Sequence, residues 1–148
     1  MAETNAARPT RLWIIGGLNV FSGLIGVGGL FVLAFAASVP EALRPGLSTW
    51  LAGGMTALFL IASSVLALLR FARAQYAMLA AAVIFFGWIL EQNVELLLTI
   101  NDLGGHAVQT RVFGTVGRCV IMLGLNLWAT LSRPTRDFMT HTPTAPVL

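Results

Sequence analysis

Four long stretches of almost uninterrupted apolar residues constrain this sequence more than any other feature. A helix of about 20 apolar residues crosses the roughly 30 Å hydrocarbon layer of a bilayer. Such a helix also satisfies its own backbone hydrogen bonds, which lipid cannot do. Only 10% of the 148 residues are charged, against about 25% in soluble domains, so a soluble fold would lack a polar coat. The sequence therefore predicts an all-α integral membrane protein.

Proline and glycine mark the places where the apolar stretches end. Pro40 disfavours helix at the residue before it, Pro45 precedes the second stretch, and Pro134 follows the fourth. Gly104 and Gly105 indicate a turn between the third and fourth stretches. The predicted spans are roughly residues 12–36, 47–69, 76–100 and 112–132.

The connections between the predicted spans are short. Sequential helices are therefore expected to be antiparallel neighbours in a four-transmembrane-helix bundle formed by residues 1–134. Residues 135–148 are rich in Thr and Pro and are predicted to be a flexible cytoplasmic tail. The first span is longer than the apolar core of a secretory signal, about 7–15 residues, so we expect it to be retained as an anchor.

The arginines predict the orientation of the bundle in the membrane. All nine basic residues are arginine, and Arg118 alone falls inside a predicted span. Arg44 and Arg111 lie on one side of the membrane. Six lie on the other side, namely Arg8, Arg11, Arg70, Arg73, Arg133 and Arg136. Because basic residues are retained in the cytoplasm, both termini are predicted to be cytoplasmic in a multi-pass protein of the bacterial inner membrane.

Few residues of this sequence could bind a metal or a redox cofactor. Cys119 is the only cysteine, and both histidines, His106 and His141, lie outside the predicted spans. An intramolecular disulfide and a bis-histidine haem inside the bilayer are therefore excluded for the chain alone. No His, Cys and carboxylate residues have metal-ligand spacing. We expect no metal and no cofactor, with bound lipid as the one alternative.

The third span carries a polar segment that a simple membrane anchor does not need. Glu91 and Glu95 lie one helical turn apart on one face. Gln92 lies beside them, and Trp88 lies one turn before Gln92. Ionisable residues inside a membrane are costly and usually mark a functional site or a specific pair. Together with Arg118 of the fourth span, these residues are the predicted polar intramembrane site.

An antiparallel hairpin of the third and fourth spans brings two pairs of opposite charge to the same height. When Asp102 is level with Arg111, the same register makes Glu95 level with Arg118. We therefore predict an outer-end pair, Asp102–Arg111, and a deeper Glu95–Arg118 pair in which each charge needs the other. Glu91 has no charged residue at its height. It is expected to be protonated, hydrated, or bound to a group outside the hairpin.

Two interpretations of this polar segment remain open. The segment either clamps the third and fourth helices together or forms a site at which Glu91 carries a proton or cation, or anchors a partner. Trp88 is either a packing residue or stacks on a ligand. Asn19 and Asn126 form a separate feature, because each lies about two turns from its cytoplasmic helix end. The two amides are predicted to form an interhelical hydrogen bond.

Three classes of function are compatible with these patterns. The lack of soluble domains, redox ligands and nucleophilic groups favours a non-catalytic or accessory subunit of a larger membrane complex. The alternative is a small oligomeric proton- or cation-coupled transporter or channel that uses Glu91 and Glu95. The third class is an enzyme acting on a lipophilic substrate, for which Glu91 and His106 are the only acid–base candidates. The expected partners are membrane lipids and either further copies of the chain or other membrane subunits, but not nucleic acid.

Overall fold

The chain folds into four long helices. The computed structural model describes residues 10–35, 46–69, 71, 73–100, 106–133 and 135, of which 96–100 and 106–108 are described by their backbone alone. The helices are α1 (Thr10–Phe35), α2 (Leu47–Leu68), α3 (Ala74–Ile100) and α4 (His106–Leu131). Each contains a segment long and apolar enough to cross a membrane, and the described residues form no strand. The predicted all-α fold with four membrane-spanning helices is confirmed.

Most helix ends lie within two residues of the predicted boundaries. The exception is α4, which begins at His106, six residues before the predicted start at Val112. The prediction followed apolarity, and the apolar segment of this helix begins only at Gln109. Backbone hydrogen bonding does not require apolar side chains, so the helix continues beyond the segment suited to lipid.

Glycine contacts show that α1 and α2 are closely packed and antiparallel. Gly16 lies against Leu68, whereas Gly23 lies against Ile61, so residue numbers rise along α1 as they fall along α2. A Cβ atom added to Gly23 would lie only 2.6 Å from Cγ1 of Ile61. Membrane helices associate through such close backbone approach, because lipid supplies no hydrophobic drive between them.

The core joins α3 to the other three helices. The main buried cluster consists of Ala57, Leu60, Ala81, Ala82, Phe85, Phe86 and Cys119. The ring of Phe85 reaches across the bundle to Gly26, where an added Cβ would lie 3.0 Å from Cζ. Of the neighbouring helix pairs, α1 and α4 share the least extensive contact. A groove between them is therefore open to the surroundings, with α3 beneath it.

The outer surface of the bundle is apolar on all four helices. Large side chains such as Phe21, Met55, Ile84 and Ile121 are mostly solvent-accessible in the isolated chain. An apolar surface of this extent is unsuited to water and suits lipid, as expected of a multi-pass membrane protein. We call the end at which α1 begins and α4 finishes the termini end, and the opposite end, where α3 meets α4, the hairpin end.

Candidate functional site

Two asparagines form a fully buried amide pair between α1 and α4. Nδ2 of Asn19 donates to Oδ1 of Asn126 at 2.7 Å, and Nδ2 of Asn126 donates back to Oδ1 of Asn19 at 3.0 Å. Nδ2 of Asn126 also donates to the carbonyl oxygen of Met122 at 2.8 Å. Both side chains are completely buried. The sequence placed these residues at one depth, and the structure joins them by reciprocal hydrogen bonds.

Further buried polar side chains lie toward the termini end. Ser64, Gln75 and Thr130 are buried, and the Ser64 Oγ, Gln75 Oε1 and Thr130 Oγ1 atoms have no hydrogen-bond partner among the described residues. Buried polar groups are normally hydrogen-bonded. Three buried polar atoms without a partner in the described part of the chain therefore make this part of the core unusual. Burial of Gln75 and Thr130 was not predicted from the sequence, because each is an isolated polar residue at the end of an apolar stretch.

The bundle extends one residue into the segment assigned to the tail. Thr135 is fully buried. Its hydroxyl lies 3.0 Å from Oγ of Ser132, and its backbone N–H donates to the carbonyl oxygen of Ser132. The rest of the predicted tail, residues 136–148, lies outside the described residues.

Arg11, at the termini end, and Arg118, toward the hairpin end, differ in their contacts. Arg11 lies over the ring of Trp128, with its guanidinium carbon 4.3 Å from the ring centroid. This cation–π contact joins the start of α1 to the last turns of α4. The sequence placed Arg11 only among the residues that set orientation. Arg118, by contrast, makes no contact of this kind within the described part of the chain.

The two glutamates of α3 lie on the outside of the bundle. Ala80, Ile84, Glu91 and Glu95 are all exposed. Spacings of four, seven and four residues place them along one helix face. Gly87 lies on the same face, and a Cβ added there would meet nothing within 4 Å. The acidic face is therefore open, and it does not line the interior of the bundle.

Trp88 and Gln92 lie on a different side of α3, facing α2. They line a small cleft at the hairpin end together with Ser48, Thr49 and Ala52. An added Cβ on Gly53 would lie 2.9 Å from Cη2 of Trp88, so the indole ring fills the space above that glycine. This contact supports the packing interpretation of Trp88.

The polar residues of α4 form the stripe expected from their spacing. Thr110, Arg111, Gly114, Thr115 and Arg118 line one shallow groove. Oγ1 of Thr115 donates to the carbonyl oxygen of Arg111 at 3.0 Å, so this hydroxyl is satisfied within its own helix. Arg118 also lines the groove between α1 and α4.

The predicted contact between Glu95 and Arg118 stays a prediction, although helix geometry directs Glu95 away from the groove that Arg118 lines. Phe86 lines the groove that contains Arg118. Glu95 lies nine residues beyond Phe86, about two and a half turns, and hence on the opposite side of α3. The hairpin register set the height of the two residues along the bundle but not their direction around each helix. Asp102 lies outside the described residues, so its pairing with Arg111 stays a prediction.

The environment of Glu91 differs from that of Glu95. Glu95 takes part in an interaction within the chain. Glu91 has no hydrogen bond or ion pair in the described part of the chain, and it is exposed. The α3 face thus presents the carboxyl group of Glu91 to a group outside the chain.

Comparison with other proteins does not assign a function to this arrangement. No family model matches the chain, and no curated protein and no solved structure is detectably similar to it. Within the described residues, no cluster of three or more His, Cys, Asp or Glu side chains could bind a metal ion. The polar groups that remain for interpretation are the buried asparagine pair, the outward face of α3 and the arginine stripe of α4.

Proposed function

We propose that this protein is a non-catalytic subunit of a larger membrane complex and that its partner binds the outward face of α3. The observation that carries the proposal is the exposure of Glu91 on the outside of the bundle. The apolar, membrane-spanning part of α3 runs from Ala74 to Glu95. Glu91 therefore lies one helical turn inside the end of the span.

The depth of Glu91 favours a protein partner over lipid. Seventeen residues separate Ala74 from Glu91, which is about 26 Å of helix and less than the roughly 30 Å of hydrocarbon. A charged side chain in that layer is costly unless another polar group meets it. Gly87, one turn before Glu91, leaves open space on the same face. A second helix could therefore approach α3 closely there.

The oligomeric transporter or channel is the alternative reading of the same face. Because Glu91 lies outside the bundle, a pathway that uses it must be formed between several copies of the chain. A closed homo-oligomer with Glu91 at its centre would support this alternative. The two functions are separated by the identity of the partner, which is either a different membrane protein or another copy of this chain.

Site-specific photocrosslinking in native membranes tests the proposal. A photoreactive residue at Ile84, which is 49% exposed on the Glu91 face, should crosslink to a different membrane protein of constant mass. The matched control is Phe59 of α2, which is 45% exposed and should yield only lipid adducts. A crosslink from Ile84 to another copy of this chain alone, or no protein crosslink, would overturn the subunit proposal.

We also propose that both termini are cytoplasmic, in the inner membrane of a bacterium. Arg11, Arg73 and Arg133 lie at the termini end of the described bundle, whereas Arg111 lies toward the hairpin end. Basic residues remain on the cytoplasmic side during insertion. Reporter fusions after residue 148 and within residues 101–110 should report cytoplasmic and external locations respectively. An external C-terminus would contradict this orientation.

A further inference from the structure

The groove between α1 and α4 is a second feature of the surface, separate from the Glu91 face. It has a volume of about 340 Å³, within the range of about 300–1,000 Å³ typical of small-molecule sites. Its walls are almost entirely apolar. They include Phe21 and Ile25 of α1, Phe85 and Phe86 of α3, and Cys119 and Met122 of α4.

One charged side chain, that of Arg118, lines this apolar groove. Arg118 is exposed, and no hydrogen bond or ion pair satisfies it in the part of the chain that the structure describes. It lies nine residues after Gln109, where the apolar part of α4 begins, and so about 13 Å from that end. Side chains of a helix tilt toward its N-terminus, which directs the guanidinium toward the hairpin end.

We propose that this groove binds an acyl chain of an anionic phospholipid whose phosphate lies at Arg118. The apolar walls select a hydrocarbon chain, and the positive charge selects an acidic headgroup over a neutral one. A guanidinium group matches the geometry of a phosphate. The lipid belongs to the leaflet at the hairpin end.

Native mass spectrometry of the delipidated full-length protein tests the site. With equimolar phosphatidylglycerol and phosphatidylcholine, the protein should retain one phosphatidylglycerol molecule preferentially. The substitution Arg118→Gln should weaken that binding about ten- to a hundredfold, the effect expected for loss of a hydrogen bond to a charged group. Arg118→Lys should retain most of the preference, because it keeps the charge.

Arg111→Gln is the matched control, because Arg111 lies on the same α4 stripe but does not line the groove. This variant should bind phosphatidylglycerol as the unchanged protein does. If Arg118→Gln does not fold, the unchanged protein provides the second measurement, since phosphatidylglycerol should raise its unfolding temperature more than phosphatidylcholine does. Equal binding or equal stabilisation by the two lipids, an unaltered preference in Arg118→Gln, or a dimer that excludes lipid would overturn the proposal.

Discussion

Replacing Asn19 with leucine should lower the free energy of unfolding by about 1–3 kcal/mol, the cost of leaving a buried polar group without its partner. Asn126 would then retain only the bond to the carbonyl oxygen of Met122, and its Oδ1 atom would lose the donor that now lies 2.7 Å away. Neither lipid nor water reaches this position, because both side chains are fully buried. Reversible unfolding in mixed micelles measures the loss.

The double variant Asn19→Leu/Asn126→Leu separates a pair from two independent residues. Its loss should be clearly smaller than the sum of the single losses, because removing both amides leaves no buried group unsatisfied. The control is Asn93→Leu. Nδ2 of Asn93 donates only to the carbonyl oxygen of Ile89 in its own helix, at 2.7 Å, so this change should cost less than Asn19→Leu. Strictly additive losses at Asn19 and Asn126 would show that the two amides are not coupled.

The helices and the heights of their polar residues were accessible from the sequence, because both depend on distance along the helix axis. Length and apolarity defined four spans, and counting turns from the helix ends predicted to be cytoplasmic put Asn19 and Asn126 at one depth. The direction of each side chain around its helix was not accessible. In a soluble bundle, polar residues mark the outer face, but here both the core face and the lipid face are apolar. Glu95 and Arg118 were therefore level in the prediction, although helix geometry directs Glu95 away from the groove that Arg118 lines.

Small residues gave the directional signal that the prediction did not use. Ala81 and Ala82 are fully buried on α3, and the ring of Trp88 packs against Gly53. Glycine and alanine concentrate where membrane helices approach closely. Nine residues separate Ala82 from Glu91, which places Glu91 about half a turn away from the buried side. Outward-facing Gly87 shows the limit of this signal, because an added Cβ there would meet none of the described residues within 4 Å.

The distribution of polarity suggests different roles for the two ends of the bundle. Among the described residues, the buried polar side chains lie toward the termini end and include the hydrogen-bonded pair of Asn19 and Asn126, whereas the arginines described at that end are exposed. Toward the hairpin end, the charged groups Glu91 and Arg118 are on the exterior. Interior amides stabilise contacts between helices of one chain, whereas exterior charges within an apolar span need groups from outside it. On this basis we propose that the hairpin end is the binding end.

Replacing Glu91 with glutamine should weaken partner binding while leaving the fold intact. Glutamine keeps the shape of the side chain and its hydrogen-bonding groups but removes the negative charge. Loss of one member of a buried charge pair at an interface costs about 2–5 kcal/mol, which corresponds to a roughly 30- to 5,000-fold lower affinity. Recovery of the partner by affinity purification in mild detergent measures this loss. The unfolding temperature should be unchanged, because Glu91 is exposed and makes no hydrogen bond or ion pair with the described residues.

Glu95→Gln is the matched comparison, since it removes the same charge from the same helix face one turn nearer the hairpin end. Glu95 takes part in an interaction within the chain, and we predict that its carboxylate makes this interaction. Its replacement should therefore lower the unfolding temperature more than it lowers partner recovery. The two variants therefore separate a binding carboxylate from a structural one. If Glu91→Gln retains the partner while Glu95→Gln folds normally and loses it, Glu95 is the binding residue and the roles assigned to the two glutamates are reversed.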